Sequence, residues 1–282
     1  MKTKILALGM VSCFLFVGCN KDDNNGNIKS ADVVSSSKID PISDDVSEIV
    51  ETQSNETAAG RSSSATENFL SDCATVTTTQ SGNTVTRTID FGTTNCTLNN
   101  GNTVRGKIIL TFTNDWTALT RTINYAFENF YHNDRHVEGN RTVVKTILPN
   151  GHPQATINLN MTVTTPEGAV YTRVGNRIRE FSEGYGNGDI SDNVFLVSGS
   201  WTTTLPSSIS HTATISASSP LKIKCSCTQP ILTQHRFEIV SGILTVVRNS
   251  NTAVIDYGNG ECDNVGTISI NGGPAITFVL RN

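Results

Sequence analysis

The chain of 282 residues carries 16 % charged and 37 % hydrophobic side chains, with 22 Gly and only 3 Met. That balance starves helices and favours strands and turns. A formal net charge of -4 offers no basic face with which to neutralise phosphates, which excludes nucleic acid as a partner.

Residues 1–18 read as a lipoprotein signal peptide. Lys2 and Lys4 precede an apolar run from Ile5 to Val17, which at about 1.5 Å per residue is too short to cross a bilayer. Phe16-Val17-Gly18-Cys19 then places a small residue directly before a cysteine. Cys19 is therefore expected to become the acylated N-terminus of the mature chain and to hold it on membrane lipid. The residues that follow, Asn20-Lys21-Asp22-Asp23-Asn24, resemble the export signal of Bacteroidetes-type surface lipoproteins, a Lys or Ser followed by acidic residues just past the lipid-bearing Cys. The resemblance implies the outer membrane, with the body exposed at the cell surface.

From Cys19 to Leu70 the chain is rich in Ser, Asp, Glu and Asn and poor in aromatics, a composition expected to remain a disordered acidic tether. It holds ten acids against four bases, whereas residues 71–282 hold fifteen of each. An apolar spacing at Val46, Ile49 and Val50 suits at most a transient helical turn within a solvated linker.

Residues 71–282 alternate with period two, the mark of half-buried strands. Ile157, Leu159, Met161 and Val163 point one way while Thr156, Asn158, Asn160 and Thr162 point the other. Turn chemistry such as Asn99-Asn100-Gly101-Asn102, Pro149-Asn150-Gly151 and Asn271-Gly272-Gly273 separates the segments. The expected fold is all-β, a long antiparallel meander of about a dozen strands forming a curled sheet, a sandwich or a barrel.

Two segments share a corner pattern, Ile89-Asp90-Phe91-Gly92 ending in Cys96 and Ile255-Asp256-Tyr257-Gly258 ending in Cys262. With Cys13 lost in the signal and Cys19 lipidated, an exported body keeps five cysteines and one must stay unpaired. Spacing pairs Cys73 with Cys96 across the Ser81-Gly82-Asn83 turn, and Cys262 with Cys227, or with Cys225 as the alternative. Cys225 and Cys227 lie on one strand face, too far apart to bridge each other. Zinc held by Cys-x-Cys, Cys262 and a His is the rival, but the spacing is not that of the usual two-residue knuckle. The second corner together with Val137-Glu138-Gly139-Asn140-Arg141-Thr142-Val143 resembles a group of Bacteroidetes lipoproteins with Thr-rich strands. That group supplies fold and address and no activity.

No hydrolase, metalloprotease, Walker or dinucleotide fingerprint occurs, so no catalytic residue, metal ligand or cofactor is assigned. His132 and His136 flank a hairpin and read as residues of a solvated turn. The oxygen-rich turns at Asp256, Asn259, Glu261 and Asp263 and at Asp189, Asp192 and Asn193 read as ordinary turn chemistry rather than calcium sites. The candidate ligand-binding residues are Arg173, Arg177 and Arg179, which share a strand face with Tyr171 and Phe181 and suit a glycan or another anionic surface ligand. The expected function is a non-catalytic binding or structural module. The alternatives are a glycan-acting hydrolase using Glu128 and Glu138 across one hairpin, or a lipid-binding β-barrel.

Overall fold

The alternation of the body builds one antiparallel sheet. In the computed structural model, residues 28–37, 39–55, 70–115, 118–187, 189–228 and 235–280 are described. The sheet opens with β1 (Thr75–Ser81), β2 (Thr84–Asp90), the short β3 (Cys96–Thr97), β4 (Thr103–Thr113) and β5 (Thr120–His132). It continues through β6 (Arg135–Glu138), β7 (Asn140–Ile147), β8 (Pro153–Thr164), β9 (Val170–Glu183) and β10 (Val194–Thr204). The last third is β11 (Ser210–Ile215), β12 (Leu221–Thr228), β13 (His235–Arg248), β14 (Asn251–Asn259), β15 (Val265–Ile270) and β16 (Ile276–Val279).

All sixteen strands join one sheet, and the path through it follows chain order from β1 to β16. The count exceeds the dozen expected because long segments break. β6 and β7 are one line interrupted at Gly139, and β11 and β12 both lie between β10 and β13. The hairpin from β5 to β6 turns on Asn133 and Asp134, both at positive φ, the backbone a two-residue hairpin requires.

The alternation resolves as written in the sequence. On β8 the side chains of Ala155, Ile157, Leu159, Met161 and Val163 are buried, and Asn158 and Asn160 are exposed. The apolar face needs a partner, since one face of a single sheet has nothing to pack on. Two helices supply it, α1 (Ser30–Ser37) and α2 (Asp40–Asn55). α2 meets Arg87 on β2, His132 on β5 and Arg173 on β9, and Tyr257 on β14 lines a small space with its Asp40 and Asp44. One sixteen-residue helix reaches strands so far apart only because the sheet curls around it.

This corrects the expectation of a solvated tether for residues 28–55. Ile28, Val33, Ile39, Ile42, Val46, Ile49 and Val50 all belong to the buried core, and every residue from Ile42 to Val50 is buried. Ile42, Val46, Ile49 and Val50 recur at helical spacing, so the segment carries an apolar stripe, which the buried Gln53 extends with a polar side chain. Composition makes this stretch look unable to fold alone, and the sheet provides what it lacks. Residues 19–27 and 56–69 of the expected tether, the signal peptide and Cys19 lie outside the described residues.

Cys73 is bonded to Cys96 and Cys227 to Cys262, with Cys225 left as a free, buried thiol. Burial pushes the Cys225 thiol up to about 12, with Glu48 adding to the effect, so it stays protonated and inert. The two corners share their geometry. Asp90 accepts the amide of Gly92 at 2.8 Å and Asp256 that of Gly258 at 2.9 Å, while Phe91 and Tyr257 are buried beneath. Both glycines sit at positive φ, a backbone that side-chain-bearing residues resist.

Candidate functional site

β9 inverts the usual polarity of the sheet. Val174 faces outward and is 59 % exposed, while Arg173, Arg177 and Arg179 point into the core and are at most 5 % exposed. Their registers place Arg173 between Met161 and Thr203, and Arg179 between Ala155 and Val197. Three guanidinium groups are thus set into an apolar face, where each must find an anion or remain at heavy cost.

α2 provides the anions. Asp40, Asp44, Glu48 and Glu51 follow one another at spacings of four, four and three, which lines them along one side of a helix. Arg173 Nη1 donates to Asp40 Oδ1 at 2.5 Å and Arg177 Nη2 to Asp44 Oδ1 at 3.2 Å. Arg179 reaches two carboxylates, Glu48 at 2.6 Å and Glu51 at 3.0 Å. Burial alone would depress the Arg179 guanidinium, but Glu51 and Glu48 outweigh it and raise it above the ordinary arginine value. For Arg173 burial wins over Asp40, and its value falls.

Gly175 makes room in this ladder. Its φ is +152°, and a Cβ there would meet Ser200 O at 2.4 Å and Trp201 Cα at 2.5 Å. Trp201 pairs with Gly175 across the strands and is approached by Arg173 and Arg177 at 5.3 and 5.4 Å from its ring. Arg179 likewise lies 3.4 Å over Phe195. The aromatic rings add cation–π attraction to the ion pairs.

A second cluster seats another side of α2, about 100° round from the first. Asp45 is fully buried, accepts from Asn100 at 2.9 Å and Asn102 at 2.5 Å, and pairs with His132 Nε2 at 2.7 Å. His132 is therefore not part of a solvated turn. Its side chain points inward from the end of β5, whereas His136 lies against Tyr131 with ring centroids 4.7 Å apart. At the C-terminal end of α2, Arg87 donates to the carbonyl of Gln53, Arg121 to that of Ser54 and Lys145 to that of Glu51. Cations on the last carbonyls complete hydrogen bonds that the helix cannot make itself and suit its dipole. Burial depresses Lys145, with Glu51 opposing it. α1 is held more lightly, by Ser36, whose carbonyl accepts from Arg173 at 2.9 Å and whose hydroxyl lies 3.1 Å from His211 Nε2.

Beside the C-terminal half of α2 the curled sheet leaves a recess of about 440 Å³. Phe181, Tyr185 and Phe195 form one wall, with Phe181 at 5.4 Å from Tyr185 and 4.5 Å from Phe195 between ring centroids. Leu119, 72 % exposed, and Ile147 also line it, as do Arg121 and Lys145 from the paired β5 and β7 and Glu48 and Glu51 from α2.

The other residues singled out in the sequence take structural positions. Glu128 pairs with Lys107 at 3.2 Å on the outer face and Glu138 is exposed beside His136. Asp256, Asn259 and Asp263 each accept a backbone amide two residues ahead, and Asp189 does the same for Ser191. The interior that a lipid-binding barrel keeps for its ligand is filled by α1 and α2. The ligand-facing reading of Arg173, Arg177 and Arg179 found charged side chains aimed at an anion, but the anion is the chain's own helix. The missed residues were Asp40, Asp44, Asp45, Glu48 and Glu51, whose signal was the four-residue spacing of acids beside the apolar spacing at Val46, Ile49 and Val50. No family model matches the chain, and neither the curated proteins nor the solved structures hold a match to it.

Proposed function

We propose that the chain is a lipoprotein of the outer membrane, acylated at Cys19 and displayed on the cell surface, whose curled sheet is a non-catalytic binding module. The observation that carries the binding reading is the recess beside α2. It combines three aromatic rings, exposed apolar side chains and two cationic side chains set beside Glu48 and Glu51, the mixture expected of a pocket for a small amphipathic ligand. The ligand class it suits best has an apolar body that packs on Phe181 and Tyr185 and an anionic end that meets Arg121 and Lys145. Its size matches a small lipid-like or aromatic carboxylate and not a macromolecule. The anchor rests on the order of basic residues, short apolar run, small residue and cysteine at the N-terminus.

The test uses the full chain with Cys19→Ala, purified without its lipid. A fluorescent long-chain carboxylate is expected to bind saturably, and its uncharged alcohol more than tenfold more weakly. Tyr185→Ala is expected to weaken binding while leaving thermal stability unchanged. Equal binding of acid and alcohol, or binding indifferent to Tyr185, rejects the recess as the site. In cells, Cys19→Ala is expected to abolish acyl labelling and release the protein from the membrane fraction.

A further inference from the structure

α1 and α2 sit within the sheet as a bound peptide sits in a receptor. Side chains seat them: four carboxylates on Arg173, Arg177 and Arg179, Asp45 on His132, and helix carbonyls on Arg87, Arg121, Lys145 and Arg173. Both disulfides lie between residues 73 and 262 and staple only the sheet. The charge is divided between the two parts. Residues 28–55 carry six acids and two bases, and the face that receives them carries Arg87, Arg121, Arg141, Lys145, Arg173, Arg177 and Arg179. Arg141 retains buried Nε and Nη2 groups with no hydrogen-bond partner, so the receiving face has donors beyond those the helix uses.

We propose that this concave face is a receptor for an acidic amphipathic helix, and that it accepts residues 28–55 of a second copy of this chain in place of its own. The same surfaces meet in either arrangement, so the exchange changes connectivity and leaves every ion pair in being. A segment joined to its own sheet holds the advantage of an effective concentration on the order of millimolar. Crowding copies on a surface narrows that advantage, and reciprocal exchange then links two copies. The pairing is selective because a helix of the wrong charge leaves three guanidinium groups buried without anions. The crowding rests on the proposed anchoring; the exchange itself stands on the helix and the arginines and is independent of the recess and its ligand.

Two full-length chains, each also carrying Cys19→Ala, test it by charge complementation. One carries Asp44→Lys and Glu48→Lys, the other Arg177→Glu and Arg179→Glu, so that in each the helix and its own sheet repel. Native mass spectrometry is expected to show each variant alone as a monomer and their mixture as a one-to-one dimer, with the fourfold variant returning to a monomer. A mixture that stays monomeric while the fourfold variant folds overturns the proposal. Should the reversed chains fail to fold, the wild-type full chain decides the matter with a labelled peptide of residues 28–55 at millimolar concentration. A one-to-one adduct that falls at least tenfold when the peptide carries Asp44→Lys and Glu48→Lys supports exchange, and no adduct, or one indifferent to that reversal, overturns it.

Discussion

Arg179 shows how much a single position depends on the whole. Its guanidinium lies 5 % exposed between Glu48 and Glu51, and neither partner is near it in sequence. Removing one member of such a buried set leaves opposite charges dry and unpaired, which costs about 3 to 5 kcal/mol. Arg179→Gln is therefore expected to lose about that much stability in urea unfolding, and Arg179→Lys to recover only part of it, since an ammonium cannot present the guanidinium's two-pronged fork to both carboxylates. His211 adds a dependence on pH. Burial, and then Arg173, press its value down from 6.5 to about 4, against a smaller upward pull from Asp32. Above pH 6.5 the imidazole is neutral in folded and unfolded chains alike, so the histidine is at no disadvantage. Between pH 6.5 and 4 the unfolded chain binds a proton that the folded one refuses, and stability drains away as pH falls through that window, by up to about 3 kcal/mol. Denaturation at pH 7, 5.5 and 4 is expected to show this slope in the wild type and a shallower one in His211→Gln. Equal slopes would remove His211 from the account.

Among the elements, α2 departs furthest from what its composition suggests. Its acids mark a solvated linker on any local window, yet each acid on the β9 side meets a base more than a hundred residues downstream. Ile49 in the core makes the difference measurable. Truncation of a buried isoleucine costs about 2 to 5 kcal/mol, so Ile49→Ala is expected to lower the stability of the entire sheet, where the same change in a tether would leave it untouched. Calorimetry of the full chain distinguishes the two. The strands were legible because burial on a sheet is written locally, every second residue, as Ile157 to Val163 show. The cysteine pairs were legible because turn signals bring Cys73 back to Cys96 and the repeated corner demands a partner for Cys262. The inversion on β9 was visible only as three arginines on one face. Whether that face looked out to water or in to an anion depended on a helix far away, and no period in the sequence carries that information. The acidic spacing at Asp40, Asp44 and Glu48 was its counterpart, and matching the two stripes by charge would have joined them.

For the molecule as a whole, the acidic N-terminal segment and the sheet form one folded unit. Limited proteolysis of the Cys19→Ala chain is expected to leave residues 30–55 uncut and associated with the sheet, because cleavage needs about ten residues of backbone to leave its hydrogen bonds and its packing. Peptide mapping of the resistant core checks it, and early cuts within α2 would contradict its burial. Among the described residues the sheet is open, since β1 and β16 are its two ends and each pairs with one neighbour only. The interior is therefore closed by curvature and by the helices, not by a ring of strands. Asp40 and Arg173 lie 133 residues apart, so seating the helices adds contacts of far longer range than the hairpins make, the kind that slow folding.

Under the proposed acylation of Cys19, the burial of residues 28–55 also limits how far the body could stand from the lipid. Were all the chain from Cys19 to Leu70 free, its fifty-two residues could reach about 180 Å at full stretch, at about 3.4 Å for each. With the sheet gripping the chain from Ile28, the nine residues from Cys19 to Asn27 could reach at most about 30 Å. On the proposed anchor, the body and anything bound to it would be held within a few nanometres of the lipid.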